Sequence, residues 1–144
     1  YTYRLSDLQA ALGMSQMKKL SRYLVRRNEI ARYYDSQLDT RLFRLPSVKE
    51  YNYSSFHLYV IRIDKNMFPG KHKKIFNLLR KKNIIVNLHY IPIHLHPYYR
   101  ELGFKEGDFP VSERFSSEAI SLPIFPSLTK KQQDFVIDVL HSGF

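Results

Sequence analysis

The sequence predicts an α/β fold, a small sheet covered by helices, and three observations carry that prediction. Residues 56–63 and 84–90 alternate in apolar character, the period of an extended strand. Around them lie segments whose apolar residues recur at three- and four-residue spacing, the period of a helix. The order helix, strand, helix, strand, loop, helix, short strand, helix then sets the strands in one layer with helices packed on it.

Each element has its own signal. Ser6 and Gln9 form a capping-box pattern, which predicts a helix start there, with Leu8, Ala11 and Leu12 as its apolar face. Gly13 allows either close packing or a break. From Leu20, the set Tyr23, Leu24, Ile30, Ala31, Tyr34 and Leu38 recurs at helical spacing between Arg22, Arg26, Arg32 and Asp35, so a long surface-lying helix is expected. Pro46 and the polar stretch to Ser55 end that pattern. Phe56–Ile63 then reads as a strand. After the Pro69-Gly70 turn, Ile75, Leu78 and Leu79 face inward on a helix whose other side is Lys71, Lys73, Lys74, Arg80 and Lys81. Ile84–Tyr90 reads as a second strand, expected to pair with the first. A helix around Ser112–Ala119, an extended piece at Ile120–Leu122 and a last helix complete the order. Thr129 and Gln132 cap the last helix, and Phe135, Val136, Val139 and Leu140 are its expected buried face.

Composition narrows the function classes. With 144 residues, 44% hydrophobic and 15% aromatic, the chain supports one core and is not a disordered segment. It has no cysteine, which removes disulfides, thiolate nucleophiles and Cys-type zinc sites and fits a reducing cytoplasm. No apolar run approaches the roughly 20 residues of a membrane helix. The net charge of +10 favours phosphate-bearing ligands in general, among them nucleotide cofactors, nucleotide sugars and nucleic acids. Residue 1 is Tyr rather than Met and a helix starts almost at once, so the chain reads as a piece entered mid-domain.

The densest chemistry lies in residues 89–99, His89-Tyr90-Ile91-Pro92-Ile93-His94-Leu95-His96-Pro97-Tyr98-Tyr99, with three imidazoles, three phenols and two prolines. The prolines forbid a continuous helix, so the segment leaves a strand and displays proton-transfer and hydrogen-bonding groups on a loop. His89, His94 and His96 as a zinc site lack a further fixed ligand, and no H-E-x-x-H helix is present. The basic helix at 71–82 is better read as a solvated face, since no RNP, KH or zinc-finger pattern accompanies it, and nucleic acid is not expected as a partner. Tyr33, Tyr34 and Tyr59 read as core and rim aromatics, and His72 and His96 as surface residues without a role. No Ser-His-Asp order, Gly-rich phosphate loop or paired-carboxylate site occurs, so no catalytic residue is named within the chain.

A wider pattern runs through the sequence. Tyr3-Arg4-Leu5-Ser6-Asp7-Leu8-Gln9-Ala10-Ala11-Leu12-Gly13, then Ser15-Gln16 and Arg26-Arg27 to Ala31-Arg32-Tyr33-Tyr34, resemble the DegT/DnrJ/EryC1/StrS sugar aminotransferases. The likeness continues through His57-Leu58-Tyr59-Val60-Ile61-Arg62, Asn87-Leu88-His89-Tyr90-Ile91-Pro92-Ile93-His94, Pro97-Tyr98-Tyr99, Gly107-Asp108-Phe109-Pro110 and Ser121-Leu122-Pro123-Ile124-Phe125-Pro126. It covers essentially the whole chain, in order. Asn87 ahead of Leu88-His89-Tyr90-Ile91-Pro92 is most similar to the branch that aminates C4 of a UDP-linked 4-keto-6-deoxy-N-acetylhexosamine on the way to pseudaminic acid.

The resemblance implies the C-terminal part of a fold-type-I enzyme dependent on pyridoxal phosphate (PLP). Residues 1–40 would be helices linking a large and a small domain, and residues 41–144 the small C-terminal α/β domain. It implies cytoplasmic homodimers with shared active sites, glutamate as amino donor and a UDP-linked ketosugar as acceptor. The cofactor-bearing lysine, the aspartate facing the pyridine nitrogen and most phosphate ligands lie upstream of the matching region, so Lys18, Lys19 and Lys49 are not candidates for that role. By the same resemblance, Thr2 and Arg4 approach the cofactor phosphate, with Thr2 standing where the family usually has Asn. His89 and Tyr90, with His94 behind them, match the loop that closes over the sugar nucleotide. A binding or regulatory protein without catalysis, or a PLP-dependent sugar dehydratase, would resemble the family equally over this region.

Overall fold

The computed structural model describes residues 4–144. Two helices lead: α1 (Asp7–Met17) and α2 (Leu20–Gln37). They are followed by β1 (Tyr59–Arg62), α3 (Lys71–Lys81), a 3-10 turn at Ile93–Leu95, α4 (Pro97–Glu101), α5 (Pro110–Glu118), β2 (Ala119–Leu122) and α6 (Lys130–Ser142). Both expected capping boxes form. Ser6 Oγ accepts from the Gln9 amide and Thr129 Oγ1 from the Gln132 amide, while each glutamine side chain accepts from the amide of its capping residue. Helix α1 continues through Gly13 without a break and buries none of its residues.

The sheet is antiparallel, with β1 paired to β2 in the register Tyr59↔Leu122, Val60↔Ser121, Ile61↔Ile120 and Arg62↔Ala119. This corrects the expected pairing of 56–63 with 84–90. Residues 84–90 lie on the far side of β2, joined to it by a single bridge between Asn87 and Ser121. Their alternation is genuine, since Ile84 and Val86 are buried and Ile85 is exposed. It reports an extended segment beside the core rather than a hydrogen-bonded strand. Strand β2, expected only as a short extended piece, is the middle of the arrangement, and all four of its residues are buried.

The core lies between the sheet and helices α2, α3 and α6. Ile30, Ala31 and Tyr34 reach it from α2, Tyr59, Ile61 and Ile63 from β1 and its exit, Ile75 and Leu79 from α3, and Val136 and Leu140 from α6. Each fully buried Ile or Leu is worth about 1.5–3 kcal/mol by area, so this set is the main stabilising term. Tyr34 is a core aromatic as expected, and its hydroxyl donates to the Pro123 carbonyl at 3.0 Å. Phe135 departs from the expected α6 face and is 47% exposed, while Gln133 is buried in its place and donates to the Ile30 carbonyl at 2.7 Å. A polar residue is tolerated there because that bond satisfies it.

Candidate functional site

The 87–96 segment is positioned from both ends. On one side the Ser121 amide donates to the Asn87 carbonyl at 2.9 Å, fixing the segment against β2. On the other, Pro92 is buried and the chain turns through residues 93–95, where the Leu95 amide donates to the Pro92 carbonyl at 2.9 Å. Pro97 then opens α4, where its missing amide proton costs nothing.

Between these anchors His89 is half-buried, with Nδ1 2.6 Å from Ser121 Oγ. The Tyr90 ring stands edge-on to the His89 imidazole at 4.6 Å, and Tyr90 itself is 71% exposed. Together they present an imidazole and a phenol to solvent with no fixed charge buried at the surface they form. Such a pair reads hydroxyl and carbonyl groups without the desolvation cost of an ion.

His94 does not share that open face. It is buried, its Nε2 donates to Glu113 Oε1 at 2.8 Å, and its ring packs on Phe109 at 4.7 Å. Glu113 also accepts from the amides of Gly107 and Phe109. Burial raises the Glu113 carboxyl, but these bonds outweigh burial and hold it below its ordinary value. Gly107, at φ +97, takes a backbone conformation few other residues adopt and so aims its amide at that carboxylate. A recess of about 310 Å³ walled by Tyr99, Phe104 and Phe109 opens beside His94.

The remaining sequence candidates fall elsewhere. Thr2 lies outside the described residues, and Arg4 is exposed just ahead of α1, where no hydrogen bond or ion pair links it to the 89–94 loop. The three imidazoles take separate partners, His96 lying 3.4 Å from the Ile91 carbonyl. His72 corrects its reading as a surface residue without a role: it is half-buried, and Nε2 donates to the Ala119 carbonyl at 3.0 Å, holding α3 to the start of β2. A larger cleft of about 480 Å³ lies between Ile84, Pro123, Phe125 and Phe135, but nothing titratable or nucleophilic lines it.

Two residues that sequence reasoning missed, Ser121 and Glu113, hold the loop. Ser121 carried a readable signal: a polar residue between Ile120 and Leu122 in an apolar strand needs a partner once it is buried. Glu113 carried none, since acidic residues are common in the first turn of any helix.

Comparison with known proteins sets this geometry in a family. The model of the DegT/DnrJ/EryC1/StrS aminotransferase family matches residues 1–141. The UDP-4-amino-4,6-dideoxy-N-acetyl-beta-L-altrosamine transaminase of Campylobacter jejuni is 34% identical over 143 residues, which are 99% of this chain and 38% of that protein. Helicobacter pylori PseC, an aminotransferase involved in the biosynthesis of pseudoaminic acid, superposes with a TM-score of 0.88 at 32% identity, over 100% of this chain and 38% of its own. Spr1654 of Streptococcus pneumoniae in its PLP form superposes with a TM-score of 0.85 at 28% identity, over 98% of this chain and 37% of its own. The chain therefore spans little more than a third of the length of these relatives, and the small sheet with its covering helices is an arrangement found within fold-type-I aminotransferases. The family match over residues 1–141 and the shared fold lead to one conclusion: this chain belongs to the DegT/DnrJ/EryC1/StrS aminotransferase family.

Proposed function

We propose that this chain is the C-terminal, substrate-side part of a PLP-dependent nucleotide-sugar aminotransferase. The complete protein moves an amine from glutamate to C4 of a UDP-linked 4-keto-6-deoxy-N-acetylhexosamine, as a step toward a cell-surface or flagellar glycan. Residues 1–40 link the large and small domains, residues 41–144 form the small domain, and two copies share their active sites in the cytoplasm. The observation that carries the reading is the His89-Tyr90 pair, with Tyr90 exposed and His89 held by the hydrogen bond between its Nδ1 and Ser121 Oγ at 2.6 Å. The C4 assignment is supported by the likeness to the C. jejuni transaminase and to PseC.

His89 and Tyr90 bind and orient the sugar nucleotide, and Tyr90, the more exposed, closes over it. His94 acts from behind, pinning the turn to α5 through Glu113. The guanidinium of Arg4 suits a phosphate, and the side chain is exposed. One exposed arginine is a contribution to a phosphate site and not a whole one, so Arg4 and Thr2 would help to hold the PLP phosphate, with the rest of that site supplied by residues beyond this chain. PLP, when bound, supplies the electron sink that amine exchange requires. No residue of this chain carries the cofactor, and the 144-residue chain alone has no transaminase activity.

The test is product analysis of the complete protein with glutamate and the UDP-4-keto sugar. A sugar aminated at C4, formed by the complete protein and not by the 144-residue chain, is the expected result. An unchanged sugar, or amination at C3, contradicts the assignment.

A further inference from the structure

Ser121 Oγ and His89 Nδ1 lie 2.6 Å apart, and which of the two donates is tied to which ring nitrogen carries the proton. Ser121 is buried, and among the described residues its Oγ has one hydrogen-bond partner, His89 Nδ1 at 2.6 Å. Two arrangements satisfy that distance. If Nδ1–H donates to Oγ, the serine proton is left buried without an acceptor, which carries the full desolvation penalty of an unmade bond. If the hydroxyl donates to Nδ1, every group is satisfied and the ring proton sits on Nε2. That nitrogen makes no hydrogen bond among the described residues and is not shut away from solvent. The strand adds rigidity, because the Ser121 amide is itself bonded to the Asn87 carbonyl, so serine and histidine are tied by main chain as well as side chain.

We propose that Ser121 is a positioning residue: its hydroxyl donates to His89 Nδ1, fixes the Nε2–H form, and makes His89 a fixed hydrogen-bond donor toward an acceptor oxygen of the ligand, such as a carbonyl. This rests on the reading that His89 faces the sugar nucleotide and narrows it. A neutral histidine free to change tautomer reads donors and acceptors alike, whereas this one reads acceptors. The Tyr90 ring packs edge-on against the imidazole at 4.6 Å.

Two-bond nitrogen–proton spectra of the ¹⁵N-histidine-labelled 144-residue chain, at about pH 8 where imidazole is neutral, test this without any assay of turnover. His89→Gln assigns the resonance by its disappearance. The expected spectrum has Nε2 protonated and Nδ1 bare in the unaltered chain, and Ser121→Ala moves both nitrogens toward averaged shifts. A protonated Nδ1 in the unaltered chain overturns the proposal, as do His89 shifts unchanged by Ser121→Ala. The spectrum of the unaltered chain stands by itself should Ser121→Ala fail to fold. Because the ligand is absent, a wrong tautomer and a wrong substrate are separate results.

Discussion

His94 and Glu113, 19 residues apart in sequence, meet at 2.8 Å and join the turn that follows the His89-Tyr90 pair to the first turn of α5. The same carboxylate gathers the Gly107 and Phe109 amides, so one side chain closes the 94–113 excursion. Surface loops are commonly mobile until anchored, and this pair is the anchor on the side away from β2.

The Glu113 contribution has a defined pH dependence. Its carboxyl is held below its ordinary value of 4.5, with burial opposing and the bonds from His94, Phe109 and Gly107 prevailing. A carboxyl lowered in the folded state stabilises fully above its unfolded value, and that stability is lost as pH falls through the lowered one. Urea melts should show stability declining as pH drops below 4.5, and Glu113→Gln should decline less over the same interval. Asp39 and Asp64, also lowered by their own partners, remain in the variant and set the residual slope. Equal slopes in the two proteins would remove Glu113 from the account.

Tyr34→Phe removes the hydroxyl that reaches the Pro123 carbonyl and leaves that carbonyl without this donor. Burial already pushes this phenol well above its usual value, so at neutral pH only the neutral hydroxyl is lost. Denaturant unfolding should lose about 1–2 kcal/mol, with an unchanged slope on denaturant concentration. A change in that slope would mean the substitution altered compactness instead.

Gly143 is a tighter constraint than its place after α6 suggests. A Cβ there would sit 2.7 Å from Ile75 Cγ1 and 3.2 Å from the Leu140 carbonyl oxygen, so α3 or the end of α6 has to move. Gly143→Ala should cost about 1–3 kcal/mol as overpacking, and in an Ile75→Ala background, which lacks the clashing Cγ1, the added cost of Gly143→Ala should be smaller. An equal cost in both backgrounds would place the strain in the backbone.

Helix α1 leaves apolar side chains uncovered: Leu8 is 85% exposed and shares one side of the helix with Leu12, while Met14 and Met17 are exposed elsewhere around it. An 11-residue helix without packing is marginal in water, and an apolar patch of this kind associates. Sedimentation of the 144-residue chain should show self-association, and Leu8→Ser with Leu12→Ser should abolish it. A monomer before any substitution would contradict this.

Local signals were legible in the sequence wherever the physics is local. The Ser6/Gln9 and Thr129/Gln132 boxes form as written, because capping involves residues three apart. Strand partnership was not legible. In 56–63 both alternating sets, Phe56, Leu58 and Val60 against His57, Tyr59 and Ile61, hold apolar residues, and it is Tyr59, Ile61 and Ile63 that are buried; neither this run nor 84–90 says which edge meets which, and β2, with every residue buried, offers no alternation to read. Phe135 was misplaced because helical spacing gives the width of an apolar arc but not where a neighbouring helix stops covering it. At the site, His89 and Tyr90 stood out by residue type and by the prolines that follow, Ser121 was legible only as a polar residue in an apolar strand without its partner, and Glu113 emerged only once the turn was brought against it.

The central claim is that His89 serves the sugar nucleotide and not the amino donor. The most direct measurement is the pair of half-reactions in the complete protein carrying His89→Ala, each followed separately under single-turnover conditions. The sugar-side half-reaction should slow by about 1–3 kcal/mol, roughly fivefold to 150-fold, while the glutamate half-reaction stays near that of the unaltered protein. Equal loss in both would place His89 at the cofactor or in the fold, and no loss in either would deny it any part in the chemistry.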